Sequence, residues 1–182
     1  MSGGLSFKPV TATTLGDFEA LFGAPGAPKY CWCMAWRATS DELKHASSAS
    51  RHSQMRGRIA DQVQVGLLAY ADKTPIGWVS VAPKDTFRSL GGPDSKDTIW
   101  SLTCLFVAKE HRKTGLSAQL IQAAASFAKQ HGADLLEAYP VDPDSPSYRF
   151  MGFVPAFERL GFKPIARAGK RRHIMRLDLD PS

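Results

Sequence analysis

The chain has 182 residues, of which 43% are hydrophobic and 22% are charged, a composition typical of one globular domain with a substantial core. No apolar stretch approaches the length of a membrane-spanning helix, and the N-terminus lacks the basic and apolar regions of a secretory signal. The net charge of +6 favours anionic ligands, and three cysteines, an odd number, argue against a disulfide framework. We therefore expect a single domain over residues 1–182, in a reducing cytoplasm and without a membrane partner.

The N-terminal part of the chain predicts a strand, two helical segments and a β-hairpin. A short helix is expected after Thr13 or Thr14, either of which can cap it. The next helical segment is polar, and Gly57 is its weak point. The hairpin consists of two apolar runs around a turn of Asp, Lys, Thr and Pro. The predicted ranges are 5–10 for the strand, 14–22 and 41–63 for the helices, and 66–71 and 76–82 for the hairpin strands.

A Cys-Trp-Cys-Met run lies between the two helical segments and is the least usual stretch of the sequence. Cys31 and Cys33 have the spacing of a redox pair or of half a metal site. No second cysteine pair or spaced histidine pair lies nearby, so a metal site is disfavoured and a pocket wall is the favoured interpretation. Cys104, in the centre of the chain, is expected to be a small buried residue rather than a nucleophile.

The central part of the chain predicts a strand, a basic turn and a helix in direct succession. Residues 98–107 are rich in β-branched and aromatic residues, which favours a strand buried on both faces. Residues 108–115 form a polar turn, and residues 116–130 carry an apolar stripe at helical spacing. The N–H groups of the first helical turn and the helix dipole would both attract an anion. Because each N–H bond to a charged acceptor contributes about 1.5–3 kcal/mol, three or four of them would hold a pyrophosphate.

The rest of the chain predicts a strand at 135–139, a short helix at 154–160 and two closing strands at 162–166 and 173–179. A loop rich in proline and aspartate, residues 140–146, follows the first of these strands. The predicted element order is therefore β-α-α-β-β-β-α-β-α-β-β, with no internal repeat or linker.

The basic turn lacks the Gly-Lys-Ser/Thr ending of a P-loop and the three spaced glycines of a dinucleotide fingerprint. Its pattern, Arg112-x-x-Gly115-x-Ser117-Ala118, resembles the pyrophosphate loop of the GNAT acetyltransferases, which is Gln/Arg-x-x-Gly-x-Gly/Ala. Ser117 departs from the last position, but it is small enough to allow close backbone approach. An ordinary surface turn with a basic rim is the alternative.

The resemblance to GNAT proteins covers nearly the whole chain, because the element order and the position of the loop also agree. Bacterial GNAT proteins of unassigned substrate share several short runs with this sequence. These runs are Cys31 to Met34, Gly66 to Tyr70, Gly77-Trp78 and Tyr139 to Asp142. The Glu158 to Phe162 segment resembles the late helix of the whole family and the Gly-Phe pair that follows it. The resemblance implies an α+β GNAT fold, with a mixed, mostly antiparallel sheet of about seven strands, flanked by helices and splayed between strands 4 and 5.

The resemblance also implies a reaction, in which an amine attacks acetyl-CoA directly and takes its acetyl group. The expected acceptor is a primary amine of an unidentified small molecule. Pantetheine would pair with the fourth strand, one of whose N–H groups would polarise the thioester carbonyl. The expected residues of the acetyl-CoA site are Leu105, Phe106, Val107, Arg112, Lys113, Thr114, Gly115, Leu116, Ser117 and Ala118.

The two side chains on which GNAT enzymes often rely for proton transfer are absent from their usual positions. The fourth-strand position that often holds a glutamate base is Ser101, which can act only by holding a water. Glu137 on the next strand is a second candidate base, with an ion-paired or solvated carboxylate as the alternative. The position of the usual tyrosine acid is Phe157, so Tyr148 is the candidate acid, with loop packing as its alternative.

Two other classes of function remain open in the sequence. The missing glutamate and tyrosine permit a GNAT-fold protein that binds acyl-CoA without catalysis. A basic nucleic-acid binder is the weakest hypothesis, because no helix-turn-helix, ribonucleoprotein or zinc-finger pattern appears. The expected partners are therefore acetyl-CoA and a small amine, with no nucleic acid, and a homodimer is left open.

Overall fold

The computed structural model describes residues 4–180, which form seven strands and five α-helices. Three short 3₁₀ turns lie between them, at Lys84–Thr86, Lys109–His111 and Arg149–Met151. The strands are β1 (Leu5–Pro9), β2 (Gly66–Ala71), β3 (Thr74–Pro83), β4 (Ile99–Val107), β5 (Leu135–Ala138), β6 (Lys163–Ala168) and β7 (Arg172–Asp178). The helices are α1 (Leu15–Gly23), α2 (Ser40–Lys44), α3 (Ser48–Ala60), α4 (Leu116–Gln130) and α5 (Val154–Arg159).

All seven strands belong to one sheet, in the order β1-β2-β3-β4-β5-β7-β6. The β4–β5 pair is parallel and the other neighbouring pairs are antiparallel. A parallel pair requires a crossover, which the chain makes through α4. The mixed, mostly antiparallel sheet predicted from the sequence is confirmed.

Each face of the sheet packs against its own layer of helix. Side chains alternate along a strand, so Val79 and Val81 of β3 enter the core under α4, whereas Trp78 enters the core on the opposite face. The apolar stripe of α4 is buried as its spacing predicts. The opposite face is covered by α1, α3 and the Cys-Trp-Cys-Met segment. This segment is therefore part of a wall that packs directly on the sheet.

The polar segment 41–63, predicted as one helical stretch, consists of two helices. It is interrupted at His45–Ser47, and Gly57 lies inside α3 without breaking it. Thr39 caps α2 and Ser47 caps α3, each through reciprocal side-chain and backbone bonds. A serine that caps a new helix competes with continuation of the preceding one, which is why the break falls there.

The sheet opens between β4 and β5. The two strands pair only over Ile99 to Leu102, whereas β4 continues to Val107. On its other side, β4 has a register shift in which Ser80 lies opposite Cys104 and Val81 opposite Leu102, so Thr103 is an extra residue. This is a β-bulge, which bends a strand and often lies beside a functional site. The predicted splay is confirmed, and the bulge lies at its start.

None of the helices within residues 4–180 is long and apolar enough to cross a membrane.

Candidate active site

The turn before α4 has a tightly fixed backbone. The Thr114 hydroxyl donates to the His111 carbonyl at 2.6 Å, and Arg112 Nε donates to the Val107 carbonyl at 3.0 Å. Lys113 and Gly115 have positive φ angles of 62° and 82°, in the left-handed region. Gly115 immediately precedes the helix, where a glycine adopts this conformation without strain.

The backbone N–H groups from Lys113 to Ala118 have no protein acceptor within residues 4–180. A Cβ at Gly115 would meet no heavy atom within 4 Å, so the space over this turn is open. Unpaired N–H groups at the start of a 15-residue helix, beside exposed Arg112 and Lys113, suit an anion such as a pyrophosphate. The residues present therefore fit the phosphate end of acetyl-CoA.

A cavity of about 220 Å³ lies beside the C-terminal half of β4. Its walls are Thr103 to Phe106 of β4, Phe22 of α1, Phe150 from the turn after β5, and six residues of the loop after α1, namely Pro28, Tyr30, Cys31, Cys33, Ala35 and Trp36. Most of this lining is aromatic or aliphatic, and the three cysteines of the chain lie in or against it. The cavity thus lies along the part of β4 that β5 leaves unpaired.

Cys33 in this wall is surrounded by hydrogen-bond donors. Its sulfur accepts from Arg37 Nη1 at 3.2 Å and from Trp78 Nε1 at 3.4 Å. Burial by itself raises the pKa of the Cys33 thiol, but bonds from Cys104, Trp78 and Ser80 and the charge of Arg37 outweigh burial and lower that pKa to about 6. The pKa of Cys104 is raised, first by its bond to Cys33 and then by burial. The pair therefore has one acidic thiol and one that stays protonated.

A second polar cluster is buried inside the sheet, below the splay. The Ser101 hydroxyl lies 2.8 Å from the Tyr139 hydroxyl, which donates to Glu137 Oε1 at 2.6 Å. The Glu137 carboxylate also accepts from Lys84 Nζ and Arg176 Nε, each at 2.6 Å. All three members of the Ser101–Tyr139–Glu137 chain are fully buried. Burial first, and then the charge of Glu137, raise the pKa of Tyr139, so its hydroxyl stays protonated.

Tyr148 lies at the rim, close to the cavity wall. It is 40% exposed, and its φ angle of 59° is in the left-handed region. Its ring centroid lies 6.2 Å from that of Trp36, and the Arg172 guanidinium lies over both rings, 4.5 Å from Trp36 and 5.6 Å from Tyr148. Arg172 Nη1 donates to the Leu90 carbonyl, which ties this rim to the loop after β3.

Residues 31–162, well over half of the chain, match the model of the acetyltransferase (GNAT) family. The chain belongs to the GNAT acetyltransferase family. As in the family, acetyl-CoA is its acetyl donor. No curated protein sequence matches the chain.

Several solved structures share the fold at low sequence identity. A protein from Desulfovibrio desulfuricans assigned to the GNAT family superposes with a TM-score of 0.57 at 18% identity, over 97% of this chain and 100% of that one. YncA from Salmonella typhimurium, a proposed acetyltransferase solved with acetyl-CoA, superposes with a TM-score of 0.59 at 15% identity, over 98% of this chain and 95% of that one. An uncharacterised protein from Bacillus halodurans superposes with a TM-score of 0.63 at 15% identity, over 96% of this chain and 83% of that one. At these identities the likeness concerns the fold.

The predicted residues of this GNAT domain fall into three places. Leu105 and Phe106 line the cavity, Val107 follows them on β4, and Arg112 to Ala118 form the anion turn, where the Leu116 side chain is buried in the core. Ser101 and Glu137 lie together inside the sheet, away from the cavity lining, and Tyr148 lies at the rim. Phe157 is fully buried and packs edge-on against Phe162 at 5.1 Å.

Sequence reasoning missed the partners that define both buried clusters. Arg37 and Trp78 lie 4 and 45 positions from Cys33, and Lys84 and Arg176 lie 53 and 39 positions from Glu137. The one available signal was the two-residue spacing of Glu137 and Tyr139, which places both side chains on the same face of an extended strand.

Proposed function

We propose that this GNAT protein transfers an acetyl group from acetyl-CoA to the primary amine of a small molecule by direct attack. The observation that carries the proposal is the continuity of three features along β4. The unpaired edge from Thr103 to Val107 begins at the bulge, borders the cavity, and leads into the anion turn before α4. A donor held by the turn would lie along this edge with its thioester beside the cavity.

The donor would be held mainly by backbone groups. The N–H groups of residues 113–118 would bind the pyrophosphate, with Arg112 and Lys113 adding charge. The pantetheine arm would pair with the open edge of β4, and an N–H group near Leu105 would stabilise the oxyanion that forms on the thioester carbonyl. Both contacts are made by backbone N–H groups. Gly115 matters because, having no side chain, it keeps the space over the turn open.

The acceptor would enter the cavity, whose lining favours an amine with an apolar body. Tyr30, Trp36 and Phe150 supply aromatic surface, and no carboxylate of the described residues, 4–180, lines the cavity to hold an ammonium group. An amine must lose a proton before it can attack, and a site that solvates the ammonium poorly favours the neutral form. Small peptides and polar polyamines fit this wall less well than an alkyl or aryl amine.

The candidate catalytic residues differ in how well their surroundings suit the task. Ser101 stays a candidate for holding a relay water, although its hydroxyl is already engaged by Tyr139. Glu137 stays a candidate base, but two cations and Tyr139 occupy its oxygens, so we favour a role in holding β4 and β5 together below the splay. Tyr148 is 40% exposed at the rim, where its hydroxyl could serve as an acid. The departing thiolate, with a reference pKa of about 8.5, can also leave with little assistance.

The competing candidate is a protein that binds acyl-CoA without turnover, which the serine at position 101 and the phenylalanine at position 157 favour. A panel of alkyl, aryl, amino-acid and polyamine acceptors, read by release of free CoA thiol, separates the two. We expect acetyl-CoA consumption with at least one apolar amine and an N-acetylated product by mass spectrometry. Tight acetyl-CoA binding with no amine-dependent thiol release across the panel would establish the non-catalytic alternative.

A further inference from the structure

Arg37 is a buried cation, and no carboxylate of residues 4–180 balances its charge. Its side chain is only 4% exposed, and it forms no salt bridge with any aspartate or glutamate of residues 4–180. The guanidinium donates to the carbonyl oxygens of Cys33 and Val65, to Cys33 Sγ, and lies over the Phe87 ring at 4.7 Å. A buried charge is costly unless an opposite charge lies close to it. The sulfur of Cys33 is the group placed to supply that charge.

The contacts of Cys33 have the geometry of a thiolate site. A neutral thiol is a weak donor and a weak acceptor, yet this sulfur accepts from two N–H donors, Arg37 Nη1 and Trp78 Nε1. A negatively charged sulfur satisfies both of them as an acceptor. The other titratable group near it is Cys31, whose pKa is raised by burial and then by the charge of Cys33.

This sulfur also lies where the acetyl transfer would occur. Cys33 and Cys104 both line the cavity, and Cys104 follows the bulge residue Thr103 on the open edge of β4. The thioester proposed to lie along that edge and the amine proposed to occupy the cavity would therefore meet near Cys33.

A thiolate at this position could act as a nucleophile or as a base, and its acidity separates the two roles. A thiolate of pKa about 6 is a weakened nucleophile, since nucleophilicity falls with pKa. Its acetyl thioester would have a better leaving group than acetyl-CoA, so forming it would be uphill. A base, in contrast, works best when its pKa lies near the operating pH.

We propose that Cys33, held as a thiolate by Arg37 and Trp78, is the general base that removes a proton from the acceptor ammonium. This inference rests on the proposed acetyltransferase function. The thiolate takes one proton from the ammonium and becomes a thiol, and the nitrogen lone pair then attacks the thioester carbonyl. The carbon–sulfur bond breaks, CoA leaves as a thiolate and takes the second proton from nitrogen, and Cys33 returns its proton to solvent.

The experiment combines a titration without substrate and a kinetic profile. The ultraviolet absorbance of thiolate is followed with pH in wild type and in Cys33→Ser, and the difference is expected to have its midpoint near pH 6. The kcat/KM for the best amine of the panel is measured over the same range. Cys33→Ser is expected to lose about a hundred-fold in kcat/KM and to lose the decline at acid pH. The matched Cys31→Ser variant, altered in the same segment, is expected to keep that decline.

A third variant, Trp78→Phe, removes one donor while leaving the sulfur in place. It is expected to move the absorbance midpoint and the acid limb of kcat/KM upward together, which a purely structural role would not do. Calorimetric binding of acetyl-CoA reports whether each variant is folded.

Each result decides the inference. A difference midpoint near that of an ordinary cysteine would overturn it, as would a Cys33→Ser enzyme that keeps both its rate and its acid limb. A low midpoint in a wild-type protein that acetylates no amine would show that the proposed function itself fails, and the base role would fall with it. Accumulation of an acetyl group on Cys33, seen by mass spectrometry, would show that Cys33 acts as a nucleophile and would overturn its role as a base.

Discussion

The anion turn before α4 and the two buried clusters are built on opposite principles. The turn is exposed, and its proposed ligand groups are the backbone N–H groups of six consecutive residues, 113–118. The clusters around Cys33 and Glu137 are buried, and side chains distant in sequence create them. The first kind of site depends on local conformation, whereas the second depends on the packed fold. Substitutions should therefore affect ligand binding at the turn, and stability or proton transfer at the clusters.

The largest expected effect tests the turn. In Gly115→Trp, a bulky side chain would occupy the open space over the turn, and acetyl-CoA affinity should fall by more than about a hundred-fold, since losing two charged hydrogen bonds costs ~3 kcal/mol or more. Calorimetric titration with acetyl-CoA measures this.

The control for that substitution lies at the other end of the same helix. Gly132 has a φ angle of 84° and equally open surroundings, so Gly132→Trp carries the same backbone strain. It should bind acetyl-CoA with nearly wild-type affinity. Equal losses in the two variants would mean that strain, not occupation of the anion site, is responsible.

The next effect tests the Glu137 cluster. Glu137→Gln leaves Lys84 and Arg176 without their buried partner, and the free energy of unfolding should fall by about 3 kcal/mol. The matched Glu42→Gln variant breaks the Arg58 pair near the surface, where about 1 kcal/mol or less is expected. Urea denaturation measures both.

The same Glu137 variant also tests the candidate base. If Glu137→Gln keeps the wild-type kcat/KM and its pH profile, a direct role of Glu137 in proton removal is excluded. A profile that loses its acid limb would instead assign the base to Glu137 and count against Cys33.

A smaller effect tests the buried hydrogen-bond chain of Ser101, Tyr139 and Glu137. Tyr139→Phe removes the hydroxyl that links Ser101 to Glu137, and we expect a loss of about 2 kcal/mol in stability, because a hydrogen bond to a charge is lost and the Ser101 hydroxyl is left without its partner. Thermal and urea unfolding should agree on this value. An unchanged free energy of unfolding would show that these hydrogen bonds do not stabilise the splayed strands β4 and β5.

The smallest predicted effect concerns the rim. If Tyr148 is the acid, Tyr148→Phe should lower kcat beyond about tenfold, within the range of general acid catalysis, and abolish the decline at alkaline pH. Acetyl-CoA binding should be unchanged. A near-normal kcat would show that the thiolate leaves unassisted or is protonated by water, and that Tyr148 packs against Trp36 and Arg172 only.

The same contrast explains what the sequence could predict. Strand 99–107, the turn and α4 follow from local signals, because a β-rich run, a glycine and a helical stripe each act on their own neighbourhood. The break at Ser47 was missed because polar residues on both sides suit a helix, and only the cap distinguishes them. The environments of Cys33 and Glu137 depend on Trp78 and Arg176, which only the folded sheet brings to them.

The central claim, that backbone groups of the turn and the open edge of β4 hold acetyl-CoA, is tested most directly by amide hydrogen exchange. Exchange is followed in the free protein and with saturating acetyl-CoA. We predict new protection at residues 113–118 and along Thr103 to Val107, with little change in the amides of β6 on the far edge of the sheet. Protection that appears elsewhere, while residues 113–118 exchange as fast as in the free protein, would contradict the account.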